Sequence, residues 1–130
     1  MTTYSWRGEF DNVELSRLHA EGFDHQPDEA DRWGRVNRHS LGWACARDGD
    51  QLVGFVNVAW DGGHHAFVLD TVVSPRAQRR GIGAELVALA VEEARAAGCE
   101  WLHVDFEAYL GPFYLDRCGF ASTSAGLIRL

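Results

Sequence analysis

The sequence contains no lysine; all twelve of its basic residues are arginine. That excludes a P-loop nucleotide hydrolase, whose glycine-rich loop needs a lysine, and any mechanism that forms a Schiff base on one. Cysteine is scarce: Cys45, Cys99 and Cys118 are odd in number and show no C-x-x-C spacing. Neither a disulfide framework nor a zinc site is therefore expected, a reducing compartment fits, and the apolar neighbours of each cysteine predict a buried packing role. No run of about 18 apolar residues exists, so no membrane span is expected. The segment Met1–Arg7 has none of the apolar stretch of a signal peptide, which points to a cytoplasmic protein. Positive charge is also in deficit. The net charge is −7, where a nucleic-acid binder would be basic.

What is present is one domain's worth of chain, 130 residues with 46% hydrophobic side chains, enough to bury a core. Its most informative stretch runs from Phe67 to Ala97. Phe67, Val68, Leu69, Val72 and Val73 read as a buried strand, ended by Pro75 because proline has no N–H for a ladder. Leu86, Val87, Ala90, Val91, Ala94 and Ala97 recur at helical spacing. Between them lie Arg76, Gln78, Arg79, Arg80, Gly81 and Gly83. A helix N-terminus offers free N–H groups and partial positive charge, and glycine lets a ligand approach the backbone. The stretch reads as a site for a phosphate-rich anion. A dinucleotide fingerprint fits less well, because Leu86 stands where its third glycine belongs.

The other elements follow in order. Residues 3–10 read as a first strand, and Asp11 or Asn12 caps a helix to about Glu21. A second helix is predicted from Asp28 to Arg38, supported by Asp28–Arg32 and Asp31–Arg35 pairs, with Arg32, Arg35 and Arg38 as a solvated stripe. Strands at 41–47, 51–60 and 64–74, joined by Asp-Gly turns, make an antiparallel meander. After the long helix, Gly98 stops it and 101–106 forms a strand parallel to 64–74, because a helical crossover joins them. A short helix at 109–118 and a last strand at 120–130 complete a mixed α/β domain over residues 1–130. His64-His65 reads as a solvated turn, and no metal site is expected.

Two motifs carry a family resemblance. Gln78-Arg79-Arg80-Gly81-Ile82-Gly83, preceded by Val72-Val73-Ser74-Pro75, resembles the Q/R-x-x-G-x-G/A signature of the GNAT-type N-acetyltransferases. Phe113-Tyr114-Leu115-Asp116-Arg117-Cys118-Gly119-Phe120 is similar to that family's aromatic segment ending in Gly-Phe. The resemblance implies a mostly antiparallel sheet with two splayed parallel strands, here around 70–74 and 102–106, flanked by helices. It implies acetyl-CoA as co-substrate, without metal, and acetyl transfer to a primary amine of a small molecule or peptide. It leaves a homodimer open, with no interface identified.

By the same resemblance, the backbone of Gln78, Arg79, Arg80, Gly81, Ile82, Gly83 and Ala84 would hold the CoA pyrophosphate, with Arg79 or Arg80 adding charge-assisted hydrogen bonds. The main chain at Val72 and Val73 would pair with the pantetheine arm like an added strand, and a main-chain N–H near Val73 would polarise the thioester carbonyl. The acceptor amine must lose a proton, and Asp70 is the candidate base or amine anchor. Tyr114 is the candidate acid. The family's tyrosine lies four residues before the Gly of Gly-Phe, whereas Tyr114 lies five before Gly119 and Leu115 takes the usual place. Either an extra helical residue rotates Tyr114 into position, or it is a core aromatic. The asparagine common after the fifth strand is replaced by Phe106-Glu107-Ala108.

For the acceptor pocket the resemblance points to Phe23, His25, Gln26 and Trp33, with Trp60, Glu107 and Tyr109 on the other side. Such a pocket would be aromatic and acidic, suited to a cationic amine. The alternative function is a non-catalytic acyl-CoA-binding sensor or interaction module, which keeps the cofactor site and lacks the chemistry.

Overall fold

In the computed structural model, which describes residues 1–130, strands and helices follow the expected order as far as residue 103. Strand β1 (Thr2–Trp6) ends at Arg7, which adopts a left-handed φ of 58°. Helix α1 (Asn12–Phe23) is opened by a capping box: the Asp11 carboxylate accepts from Glu14 N, and the Glu14 carboxylate accepts from Asp11 N. Helix α2 (Arg32–His39) begins four residues later than the sequence suggests. Asp31 takes the capping position, accepting from Gly34 N, so it forms no pair with Arg35. Asp28 stays outside the helix and grips Arg32 with both carboxylate oxygens, at 2.7 and 3.2 Å. Arg32 is therefore buried rather than part of a solvated stripe.

Strands β2 (Ser40–Asp48), β3 (Gln51–Trp60) and β4 (His65–Val73) form the meander. Helix α3 (Ile82–Ala96) crosses back to β5 (Trp101–His103), which lies parallel to β4. The sheet order is β1-β2-β3-β4-β5, antiparallel except for the last pair. Alternation along the strands divides the core in two. Ala44, Ala46, Val56, Val58 and Val68 pack under Ile82, Leu86 and Ala90 of α3. Trp43, Cys45, Phe55 and Val72 pack on the other face against Leu15, Leu18 and Val36 of α1 and α2.

Several expectations are corrected here. The strand expected over 101–106 stops at His103. The expected helix at 109–118 is a 3₁₀ turn, Ala108–Leu110, followed by a π-helical turn, Pro112–Arg117. No strand forms over 120–130; from Ala121 onward the chain is exposed. Ala121-Ser122-Thr123-Ser124-Ala125-Gly126 offers little apolar surface to bury, and a three-residue β5 is a short edge to pair with. Cys45 is buried, and desolvation pushes its thiol up to about 12, whereas Cys99 and Cys118 are only half-buried. His65 is not a free turn residue, since its Nδ1 meets His103 Nε2 at 2.8 Å across β4 and β5.

One close approach positions the end of α1. A side chain at Gly22 would collide with the Val72 γ-methyl, so the helix lies directly on β4 there. Gly22→Ala is expected to cost about 1–3 kcal/mol through overpacking. Denaturant titration would register it as a lower midpoint at unchanged slope.

Candidate active site

The site begins where β4 and β5 part. Their ladder covers only His65–Trp101, Ala66–Leu102 and Phe67–His103, while β4 runs on to Val73. Beyond Phe67 the edge of β4 that faces away from β3 has no strand beside it. Ser74 N donates to Val53 O on β3, at 2.8 Å. Because successive amides alternate sides, the Val73 N–H points to the open edge. The Val73 carbonyl, on that same edge, accepts from the Gln78 side chain at 3.4 Å. Val72 is turned the other way: it pairs with Phe55, and its side chain is buried under α1. Of the two valines, Val73 offers the main chain.

The loop 78–84 follows at once. Gly81 precedes α3 with φ 78°, a left-handed conformation that suits glycine, and Arg79 also has positive φ. The N–H groups of Gly81, Ile82, Gly83 and Ala84 donate to no acceptor of the protein, as the first turn of a helix dictates. Ile82 contributes only its backbone, because its side chain is in the core. A Cβ on Gly83 would lie 3.2 Å from the Phe113 ring and 3.7 Å from Val73, so loop, strand and π-turn meet at this residue. Of the candidate arginines, Arg80 is paired with Asp48 at 3.0 Å, and Arg76 approaches Glu21 at 3.7 Å. Arg79 makes no ion pair. Arg117, which carries no motif signal in the sequence, brings its guanidinium to 3.1 Å from where a Gly81 Cβ would be. The free amides, the open glycines and these two unpaired arginines fit a pyrophosphate.

Tyr114 sits in the π-turn, where Cys118 N bonds to Phe113 O five residues back. The extra residue between Tyr114 and Gly119 is thus accommodated by a wider turn. The ring is nonetheless well packed, stacked on Phe106 at 4.9 Å and edge-on to Phe113 and Phe120. Burial raises the Tyr114 phenol above its ordinary range, against a smaller opposing pull from the Thr71 hydroxyl. That hydroxyl oxygen is buried and has no hydrogen bond of good geometry. It lies on the strand that borders the opening.

Asp70 owes its position to a β-bulge. Phe55 pairs with Val72 and Asn57 with Leu69, so Val56 faces both Asp70 and Thr71. Asp70 takes φ 56° at this point. The bulge reverses the alternation: Ala66 and Val68 face α3, but Val72 faces α1. It also turns the Asp70 carboxylate towards α1, where its Oδ1 lies 3.3 Å from His19 Nε2. His19 Nδ1 in turn meets His25 Nε2 at 2.6 Å, and His25 Nδ1 meets the Gln26 carbonyl at 2.7 Å. Desolvation lowers the pKa of His19, outweighing the opposing pull of Asp70.

A cavity of about 490 Å³ opens beside Asp70, bounded by His19, Arg32, Arg35, His39 and Asn57 among others. Its apolar lining residues are Ala59 and Leu69, so the expected aromatic, acidic pocket is not what surrounds Asp70. Phe23 and His25 do gather here, the first with its ring 4.5 Å from that of His19. Trp33 does not. It packs edge-on to Phe10 and Trp43 and borders a separate cavity with Glu14 and Arg47. Glu107 is exposed ahead of the 3₁₀ turn and does not line the Asp70 cavity. His19 escapes sequence reasoning because its role depends on the bulge, which has no sequence signature. No group of His, Cys, Asp and Glu is arranged to hold a metal, and no helix is long and apolar enough to cross a membrane.

Comparison with known proteins gives three findings. A family model described as Acetyltransferase (GNAT) family matches residues 5–120. A mycothiol acetyltransferase of Rhodococcus erythropolis is 36% identical over 61 residues, which are 47% of this chain and 20% of that relative. The match therefore spans one fifth of that relative's length. Among solved structures, a GNAT family acetyltransferase of Streptococcus pneumoniae has a TM-score of 0.81 at 24% identity, covering 100% of this chain and 98% of that one. Glucosamine-6-phosphate N-acetyltransferase of Arabidopsis thaliana has a TM-score of 0.78 at 14% identity, covering 98% of each chain. At these identities the structural likeness speaks for the fold alone.

Proposed function

The chain belongs to the acetyltransferase (GNAT) family, and on that premise we propose that it moves an acetyl group from acetyl-CoA to the amine of a small molecule, with Asp70 as base. The observation that carries the reading is a juxtaposition. The open edge at Val73 adjoins the loop 78–84, and the bulge puts Asp70 on the same strand beside a cavity. Bound acetyl-CoA supplies the acetyl group as an activated thioester. The amides of Gly81 to Ala84, with Arg79 and Arg117, would hold its pyrophosphate. Val73 N–H would orient the acyl carbonyl. Asp70 would take the proton from the incoming ammonium group. Tyr114, held protonated by its burial, would protonate the departing sulfur.

The cavity also argues for the acceptor's charge. Asp70 is its single carboxylate, whereas Arg32, Arg35 and His39 also line it. Arg32 is committed to Asp28, but Arg35 is exposed and makes no ion pair. An acceptor with an amine near Asp70 and a carboxylate or phosphate near Arg35 suits this arrangement better than a polycation. Thiol release should be measured with amino acids and amino-sugar phosphates against polyamines. Acceptors bearing an anionic group should show kcat/KM higher by roughly tenfold or more, the worth of one charge-assisted hydrogen bond. A preference for polyamines would reinstate the cationic acceptor. Binding of acetyl-CoA without turnover would favour the non-catalytic module.

A further inference from the structure

We propose that His19 and His25 form a proton relay that carries the acceptor's proton from Asp70 to solvent. The inference rests on Asp70 being the base in the reading above, and it comes from counting protons. The chain Asp70–His19–His25–Gln26 has three contacts of hydrogen-bond length and an acceptor at each end, a carboxylate and a carbonyl. Three hydrogen bonds require three protons. Two neutral imidazoles supply only two. The fully bonded chain therefore holds one proton beyond an ionised Asp70 and two neutral rings, and its net charge is zero.

That proton has two good locations. His19 is in the middle and largely out of water, with the Arg32 guanidinium also acting against positive charge there. The extra proton accordingly sits at an end. In one state Asp70 is a carboxylate, His19 carries its proton on Nε2, and His25 is an imidazolium donating from both nitrogens. In the other, Asp70 is a carboxylic acid donating to His19 Nε2. His19 then donates from Nδ1 to His25 Nε2, and a neutral His25 donates from Nδ1 to Gln26 O. Two protons move between these states: one from the Asp70 oxygen to His19 Nε2, the other from His19 Nδ1 to His25 Nε2. His19 changes tautomer and stays neutral throughout.

A cation is best placed at the end of the chain that water solvates, so the resting proton belongs on His25. His25 is exposed and can pass it to water. The cycle balances. His25 first releases one proton to water, and by exchange with water each neutral ring then carries its proton on Nδ1, so that the Asp70–His19 contact is the one left without a hydrogen. An ammonium group on the acceptor then gives a proton to the Asp70 carboxylate. The two-proton shift returns the Asp70 carboxylate and restores the proton to His25. The net change is loss of one proton from the acceptor to water.

The charged and titratable groups facing the relay are Asp70 from β4 and Arg32, Arg35 and His39 from α2. Its remaining neighbours on the α1 side are the Phe23 ring and the Gln26 carbonyl. Arg32 is held by Asp28, and the side-chain partner of Asp70 is His19 rather than any of the α2 groups.

The test has two arms. Long-range proton–nitrogen spectra of histidine-labelled wild type and Asp70→Asn report each ring's tautomer. The amide of the variant can donate to His19 Nε2 and complete the chain with two neutral rings. His19 should therefore switch from the Nε2–H to the Nδ1–H tautomer. An unchanged His19 tautomer would overturn the proposal, whatever the enzyme's activity. In the second arm, His25→Ala should lower kcat on the order of tenfold with KM for acetyl-CoA unchanged, and added imidazole should restore much of the loss. A kcat equal to wild type across pH would overturn the relay. A tautomer switch in a protein that acetylates no amine would support the linked chain and refute the acetyl-transfer reading instead.

Discussion

Asp70→Asn lowers kcat/KM for acetyl transfer by about 10²–10⁴-fold, the range for loss of a positioned general base, while acetyl-CoA binds nearly as before. The substitution isolates the chemistry for a backbone reason. Asp70 adopts φ 56° in the β4 bulge. Asparagine tolerates that left-handed conformation, whereas alanine would strain it and could move Val72 and Val73 as well. The amide keeps the shape and the contact with His19 but is not a base. Melting temperature and acetyl-CoA affinity should stay close to wild type. A variant that turns over at the wild-type rate across pH would remove Asp70 from the mechanism.

Gly81→Val abolishes most acetyl-CoA binding, raising Kd more than about tenfold, the equivalent of roughly 1.4 kcal/mol. Two effects combine. Valine at φ 78° costs about 1–2 kcal/mol of backbone strain, and its Cβ would lie 3.1 Å from the Arg117 guanidinium. The side chain would also stand over the free amides that open α3. Gly62 supplies the control, because it has the same φ of 78° in the turn between β3 and β4, and a Cβ there would meet nothing within 4 Å. Gly62→Val should lose similar stability and keep its affinity for acetyl-CoA, as calorimetric titration of both variants would register. Equal loss of affinity in the two would mean that the 78–84 loop has no special part in binding.

Much of this arrangement is legible in the sequence. The helical spacing of Leu86, Val87, Ala90 and Ala94 defines α3, and Pro75 with Gly81 bounds the loop ahead of it. Those are local signals: period, turn chemistry and a missing N–H. The 51–60 strand is legible to the residue for the same reason. What is not legible depends on contacts between distant segments. The bulge at Asp70 needs the β3 register, and without it alternation would place Val72 on the α3 face. Arg32 looks solvated because its spacing from Asp28 gives no hint that Ser16 of α1 anchors Asp28 and that the paired guanidinium is buried. Trp33 looks like a pocket wall because nothing local tells an aromatic in a T-shaped cluster from one facing a ligand. In the tail over 120–130, Leu127, Ile128 and Leu130 suggest a strand, but those side chains are exposed and the segment before them has little to bury. The wider turn at Tyr114 is visible only as an odd spacing before Gly119.

Asp70 is also where the fold and the acetyl-transfer reading meet. The left-handed residue, the bulge and the histidine chain all converge on one carboxylate beside the open edge of β4. The measurement that tests the central claim most directly follows an isotopically labelled acetyl group from acetyl-CoA by mass spectrometry, with amino acids and amino-sugar phosphates as acceptors. The account predicts label on the acceptor nitrogen, in proportion to thiol released, and its near disappearance in Asp70→Asn. Label confined to acetyl-CoA, or found on an oxygen or sulfur of the acceptor, would contradict it.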